Sequence, residues 1–413
     1  LSSGEFIVGM DIGTSKVRVI VAEVTRDNTQ IVGVGSAVSK GTKKGAIIDI
    51  DQAVQSIREA IYDAERMVGI EISQVFVGIC GNHVSLQSSH GVVAVSGENK
   101  EIDQEDIDRV IQAAQVVALP PERTVIEVVP NQFVVDGLQD IQDPYGMVGV
   151  RLEVEATIAT GTKTIIHNVL RCVEKADLSV AGIILLPLAA GEICLSTDER
   201  NMGVVLADVG GGTTSFAIHE QGQLVSTGVL PVGGEYITQD IAYGLRTKTE
   251  TAEELKRKYG VALVSKADKD ITFQVPTIGS NREKTVSQEE LAGIIEPRVE
   301  EIFQLIRDEV KEAGLSDEPA GGYVLTGGVM SLPHILEVAQ SQLGPAVRMV
   351  SPRYIGVEDP SFTSGVGMMY YIRRRFLHRF IESSEQGNRR SENRKRKSST
   401  WGKIREFFLR EFI

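Results

Sequence analysis

Asp208-Val209-Gly210-Gly211-Gly212-Thr213-Thr214 closes one apolar run, Gly203–Val209, and opens another, Thr214–His219. Three consecutive glycines cost more backbone entropy than a hairpin needs. They suit a backbone pressed close to a phosphate chain, with the preceding carboxylate placed to orient water around a magnesium ion. The same design stands near the start, where Met10-Asp11-Ile12-Gly13-Thr14-Ser15-Lys16 joins strands predicted over Phe6–Ile12 and Lys16–Val24. Gly13 permits a tight turn whose amides, with Thr14, Ser15 and the Lys16 side chain, can hold phosphate oxygens. Taken alone, the first stretch also reads as an ordinary hairpin and the second as a loose glycine-rich one. Together, each led by Asp after an apolar strand, they form an internal duplication of one strand–turn–strand unit.

Two further stretches extend the pattern. Leu325-Thr326-Gly327-Gly328-Val329-Met330 places paired glycines between a strand, Gly322–Thr326, and a helix predicted over Leu332–Gln342. Such a turn lets a flat base or an α-phosphate approach the backbone, although a plain strand–helix turn has the same composition. Gly233-Gly234-Glu235 opens a helix over Glu235–Ala242, and Glu253 and Lys256 share one face of a helix over Thr251–Tyr259. These can grip a ribose and a base, or form a solvated ion pair.

Around these motifs the chain alternates strands and helices. A strand near Ile31–Val38, a helix over Asp51–Val68 and a buried strand at Gln74–Gly78 follow the first turn. The block between Asn82 and Gly161 reads as a compact insertion, with strands over His83–Val95, Thr124–Val135 and Arg151–Ala159 and a helix over Gln104–Val117. A helix over Lys163–Lys175, a strand over Gly182–Leu186 and a helix over Pro187–Leu195 lead into the second turn. Val299–Glu312 is a strong helical segment.

A chain of 413 residues exceeds one ordinary core, so two or more lobes are expected. The net charge of −13 argues against general nucleic-acid binding. That average conceals a polarity. From Arg373 onward there are thirteen Lys or Arg and five acids, a balance of +8, which leaves −21 on the rest. An acidic body with a basic end points to an anionic partner for that end. Cys80, Cys172 and Cys194 are odd in number and set among apolar residues, so inert thiols in a reducing compartment are expected. The sequence lacks a run of ~20 apolar residues, so no membrane span is expected. Leu1–Glu5 has no basic segment before a long apolar run, so no secretory signal is expected.

The ordered set resembles the actin/DnaK-type ATPase superfamily: the Asp11 turn, the Pro187–Leu195 helix, the Asp208 turn, the Gly327-Gly328 turn and a helix over Ser364–Tyr371. The resemblance spans Phe6 to Arg375 and implies an α/β fold of two lobes built on ribonuclease-H-like sheets, clamping ATP and Mg²⁺. Within it, the opening Val8–Lys16, the insertion, Gly233-Gly234-Glu235, Ile295-Glu296-Pro297-Arg298 and the tail resemble the FtsA family of bacterial cell-division proteins. MreB-like and pilus-assembly relatives share the fold, but a basic linker ending in a lipid-ready helix does not fit them. A kinase would need a base for a hydroxyl substrate, and no such constellation is evident.

The FtsA resemblance implies a first-lobe core over 1–81 and 162–195, an inserted α+β subdomain over 82–161 and a second-lobe core over 196–232 and 299–381. It adds a small subdomain over 233–298, a basic linker over 382–399 and an amphipathic helix over 400–413. It also implies actin-like self-association, recruitment of the tail of the tubulin-like protein FtsZ, with Arg298 as the contact, and other division partners on the insertion. All of this would take place on the inner face of the membrane at the division septum. One departure bears on chemistry. Hydrolysing relatives place Glu or Gln just before the first connecting helix, where this chain has Leu186, which cannot orient water. ATP binding with at most weak hydrolysis is expected.

The tail stands on its own pattern. As a helix, Trp401, Ile404, Phe408 and Phe412 share a stripe, Phe407 adds to the apolar side, and Lys403, Glu406 and Arg410 lie roughly opposite. Arg394-Lys395-Arg396-Lys397 precedes it. Anionic lipid headgroups attract such cations at about 1 kcal/mol each, and the aromatic stripe can enter the interface. The alternative is a helix that folds back on the body or pairs with another protein. Deleting Trp401–Ile413 is expected to release the protein from anionic liposomes in a sedimentation assay, and persistent binding would refute the tether.

Overall fold

The computed structural model describes residues 5–25, 28–81, 83–279, 283–314 and 318–375. The linker over 382–399 and the amphipathic helix over 400–413 lie outside the described residues. Among those described, no helix is long and apolar enough to cross a membrane.

The two strand–turn–strand units seed two five-stranded sheets of one topology. The first runs Ser179–Leu185, Gln74–Ile79, Glu5–Ile12, Lys16–Val24, Thr29–Val38. The second runs Val347–Met349, Tyr323–Thr326, Val204–Val209, Thr214–Glu220, Gln223–Leu230. In both, the last three strands are antiparallel and the first two join in parallel. This is the actin-like α/β architecture that the resemblance implied. The central parallel strands are buried almost throughout, as sheets covered on both faces require. Register brings Asp11 beside Gly78 and Asp208 beside Thr326, so both carboxylates stand at the carboxyl ends of equivalent strands.

Helix Ile50–Val68 shows how local chemistry sets an element. Asp49 accepts the Gln52 amide at the start, and Gly69 ends the helix in the left-handed region at φ 71°. Ala53, Val54, Ile57, Ala60, Ile61 and Ala64 recur at helical spacing and enter the first-lobe core. The insertion has its own antiparallel sheet, ordered Ser85–Ala94, Arg151–Thr162, Arg123–Val135, Leu138–Ile141. Helix Gln104–Gln115 closes one face of it and begins with a reciprocal capping box between Asp103 and Asp106.

Some elements differ from the sequence reading. The helix expected from Val299 begins at Gln288 and runs through Pro297. Proline lacks one amide and crowds the carbonyl four residues back, but that residue is Gly293, and tertiary packing of Leu291 and Ile295 holds the earlier turns. The helix expected from Leu332 begins at Ile335, because Pro333 disfavours helical backbone at Leu332 and a 3₁₀ turn, Gly328–Ser331, intervenes. The hairpin of Thr272–Pro276 and Glu283–Ser287 and the edge strands Gln223–Leu230 and Val347–Met349 were not anticipated.

Two helices connect the lobes. Leu186–Cys194 follows the first sheet and inserts Ala190 and Cys194 among second-sheet residues Val204, Leu206 and Val324. The helix over 363–375 follows the second sheet and buries Val366, Met368, Met369 and Ile372 in the first-lobe core. They cross where Gly367 meets Ala189, so closely that a Cβ on Gly367 would overlap the Ala189 carbonyl oxygen. Replacing Gly367 by Ala is expected to destabilise the fold by about 1–3 kcal/mol through overpacking. Urea unfolding measures this, and an unchanged midpoint would show that the crossing has slack.

Candidate functional site

Both turns face one cleft of about 960 Å³ between the large sheets. They have matching geometry: the Gly13 amide donates to the Lys16 carbonyl at 3.1 Å, and the Gly210 amide to the Thr213 carbonyl at 2.9 Å. Asp11, Gly13, Thr14, Ser15 and Lys16 line one side. Asp208, Gly210, Gly211, Gly212 and Thr213 line the other. The turns also touch each other, since a Cβ on Gly212 would lie 2.5 Å from the Thr14 methyl.

The remaining sequence candidates divide between cleft wall and support. Gly234, Glu235, Glu253, Lys256, Gly328 and Val329 line the cleft. Thr214 does not; it is fully buried and its hydroxyl donates to the Val232 carbonyl at 2.9 Å. Gly233 stands behind the second turn. The amides of Gly234 and Glu235 donate to the carbonyls of Gly210 and Gly211 at 3.0 and 2.8 Å, and a Cβ on Gly233 would lie 2.5 Å from the Gly210 oxygen. Gly327 also stands behind the wall. Its φ of 99° is open to glycine, and a Cβ there would overlap an Asp208 carboxylate oxygen.

Glu253 and Lys256 are not a solvated pair. Their side chains are 34% and 12% exposed and lie 2.6 Å apart, and Lys256 Nζ also donates to the Gly234 carbonyl at 2.9 Å and Thr238 Oγ1 at 2.7 Å. This knot joins helices Gly234–Leu245 and Thr249–Tyr259 at the cleft edge. Burial opposes ionisation of Glu253, but the Lys256 charge and hydrogen bonds from Lys256, Thr238 and Arg257 outweigh it and bring the carboxyl down to about 2. Ser15 Oγ donates to Glu235 Oε1 at 3.3 Å, which links the first-lobe turn to the second lobe.

Sequence reasoning missed two residues at the carboxylates. Arg18 lies opposite Asp11 in the hairpin and lines the cleft, and its buried Nε has no hydrogen-bond partner among the described residues. Strand alternation was the available signal, since Arg18 follows Lys16 by two and shares its face. Ser364 donates to Asp208 Oδ2 at 2.6 Å from 156 residues away, and no local pattern announces it.

Burial pushes Asp11 up to about 6; Arg18 opposes the shift and Asp208 adds to it. Burial likewise raises Asp208, against the Ser364 hydrogen bond and Arg18. Two carboxylates that resist ionising side by side, with the Arg18 guanidinium beside them and over the Phe362 ring, fit a divalent cation and a polyanion. Among the described residues, no three His, Cys, Asp or Glu gather to cage a metal. Burial pushes the Cys80 and Cys194 thiols up to about 12 and raises Cys172, so none is a ready nucleophile. Leu186 lines the cleft as an apolar side chain 8% exposed.

Arg298 lies away from the cleft lining. It is bidentate to Asp240 at 2.6 and 3.2 Å, pairs with Glu301 and packs over Tyr236.

Comparison with known proteins bears on the whole chain. A family model described as "Cell division protein FtsA" matches residues 205–367, and one described as "SHS2 domain inserted in FTSA" matches 81–160. The chain is 51% identical to cell division protein FtsA of Bacillus subtilis (strain 168), over 90% of this chain and 84% of that one. It is 36% identical to that of Borreliella burgdorferi over the full length of both. The fold is shared with a "PilM-PilN type IV pilus biogenesis complex", TM-score 0.60 at 17% identity, covering 88% of this chain and 98% of that one. It is also shared with MreB5 of Spiroplasma citri bound to ADP, TM-score 0.54 at 14% identity, covering 92% and 98%.

Because Asp11 titrates higher folded than unfolded, the folded state binds the extra proton between pH ~4 and about 6. Its contribution to stability is therefore lost as pH rises through that window. Asp11→Asn is expected to raise the ligand-free melting temperature at pH 7.5 and to flatten its fall between pH ~4 and about 6. A lowered melting temperature at pH 7.5 would refute the burial argument.

Proposed function

The chain belongs to the FtsA family of cell division proteins, and on that premise we propose that it is an ATP-gated, membrane-tethered adaptor. In this reading it binds Mg-ATP between its lobes, assembles into actin-like filaments and holds the tail of FtsZ at the inner face of the membrane at the septum. The duplicated carboxylate turns meeting across one cleft carry the nucleotide part. Asp11 and Asp208 would hold Mg²⁺ through water. Gly13–Lys16 and Gly210–Thr213 would surround the phosphates, and Gly234, Glu235, Glu253, Lys256, Gly328 and Val329 the nucleoside. Lys16 and Arg18 supply positive charge toward the phosphates. Bound Mg²⁺ would neutralise phosphate and carboxylate charge together.

Leu186 favours the adaptor over an enzyme whose turnover is the purpose. A buried leucine at the start of the connecting helix can neither orient nor deprotonate water. The ligand then serves to set the lobe arrangement. The proposed FtsZ contact lies on the small subdomain around Arg298. Its guanidinium is already paired with Asp240 and Glu301, so an acidic tail would have to share or displace those carboxylates. The insertion is proposed to meet other division partners, and the tail over 400–413 anionic lipid. One tail binds reversibly, whereas many along a filament bind firmly through effective concentration.

The test is co-sedimentation of the full chain with anionic liposomes, with and without FtsZ and Mg-ATP, beside direct nucleotide titration. FtsZ is expected to sediment with the liposomes only when the chain is present, and Asp208→Ala to weaken Mg-ATP binding by at least about tenfold, the loss of one charge-assisted contact. Unchanged affinity in that variant would sink the assignment of the second turn. Turnover in the range of ordinary kinases, about 1–100 per second, would overturn the role given to Leu186.

A further inference from the structure

Glu127 belongs to the insertion's Arg123–Val135 strand, yet its buried carboxylate bonds both helices that connect the lobes. One oxygen accepts from Tyr371 Oη at 2.6 Å and pairs with Arg375 Nη1. The other accepts from the Leu185 amide at 3.3 Å. Leu185 is the cap residue of helix Leu186–Cys194, where amide dipoles favour an anion. Tyr371 and Arg375 lie toward the far end of the helix over 363–375. A carboxylate 2% exposed is tolerated only with such partners, and losing one strands a charge. Burial and the Glu127 charge push the Tyr371 phenol upward, which keeps it a donor.

The opposite end of that second helix is fixed at the cleft. Ser364 Oγ donates to Asp208, and Thr326 Oγ1 donates to Thr363 Oγ1 at 2.6 Å. Between the ends, Gly367 is pressed on Ala189, and a Cβ on Gly78 would lie 2.9 Å from the Met368 methyl. Arg374 pairs with Glu192 of the first helix at 3.1 Å. A helix held so closely along its length moves as one body. One end reports the Asp208 carboxylate and the other holds Glu127. Glu127 itself is not among the cleft-lining residues, so it is not a ligand contact.

We propose that Glu127 is the joint through which occupancy of the cleft repositions the inserted subdomain, by way of the two crossing helices. The inference rests on the reading of the cleft as a nucleotide site. When a ligand shifts Asp208 and the lobes, the crossing at Gly367 and Ala189 changes, and the insertion follows through one buried carboxylate. Whatever partner the insertion meets then senses the cleft. By linkage, an insertion held in one position must alter nucleotide affinity in return.

The test is hydrogen–deuterium exchange of the full chain with and without Mg-ATP, with nucleotide affinity measured in parallel. In the wild type, Mg-ATP is expected to change exchange in strand Arg123–Val135 by about fivefold or more. Glu127→Gln keeps the shape and loses the charge. It is expected to bind nucleotide saturably, with altered affinity, while this nucleotide-dependent difference disappears. Tyr371→Phe, which removes one donor and keeps the ring, is expected to lose part of it. Glu155→Gln, on the exposed side of the insertion, is expected to retain all of it. A merely loosened insertion would exchange faster with and without nucleotide and keep the difference, which would overturn the proposal. So would saturable binding in the wild type with no response in the insertion, or a full response in Glu127→Gln. Absence of nucleotide binding in the wild type would instead sink the cleft reading, and this inference with it.

Discussion

Burial presses Asp11 toward its protonated form, and the Asp208 charge across the cleft presses it further. Each stands near the carboxyl end of the central strand of a five-stranded sheet. The conflict is moderated by Arg18, opposite Asp11 in its hairpin, and by Ser364, which reaches Asp208 from the helix over 363–375. A folded chain tolerates such an arrangement when a ligand resolves it, and strain of this kind is concentrated where function is. The two sheets have one topology because both deliver the same thing to the same place, a carboxylate and a glycine turn.

That demand propagates outward. With the two sheet ends brought together, the lobes are joined by two helices that each pack on the lobe opposite their origin. Their contact has no room for a side chain at Gly367, which turns a crossing into a close bearing. The insertion is fastened at this bearing by Glu127, beside an apolar core of its own. It is therefore independent in its packing and dependent in its position. The segment over 233–298 is held differently. The Glu253, Lys256 and Thr238 knot sits at the cleft edge, while Arg298 binds helix Gly234–Leu245 to helix Gln288–Glu312.

Much of this was legible in the residues. An apolar strand ending in Asp and followed by glycine marked both turns, because a side chain at Gly13 or Gly210 would crowd the turn's own carbonyl and one at Gly211 or Gly212 would strike the facing turn. Amphipathic spacing placed helix Ile50–Val68 within one residue of its observed start. What failed to show has physical causes as well. Pro297 reads as a helix boundary locally, but Leu291, Ile295 and Val299 packing in the second-lobe core overrides it. Val347–Met349 is three residues long, too short for any periodicity. Thr214 carries the motif's composition but points away from the cleft, since alternation along its strand sends neighbours to opposite faces, whereas Gly233 and Gly327 lie in turns packed behind the cleft wall.

The fold class was implied by the resemblance of the ordered motifs, while the sequence by itself determined the duplicated turns, the inserted block and the basic, aromatic composition of the tail. Those depend on local backbone freedom and on periodic burial, which are written in neighbouring residues. Only the tertiary structure decided which groups govern the carboxylates and the joints. Ser364 and Asp208, Glu127 and Tyr371, and Arg298 and Asp240 are 156, 244 and 58 residues apart. Such pairs are selected by burial, which makes an unpaired charge or hydroxyl costly and an available partner decisive wherever the chain happens to supply it.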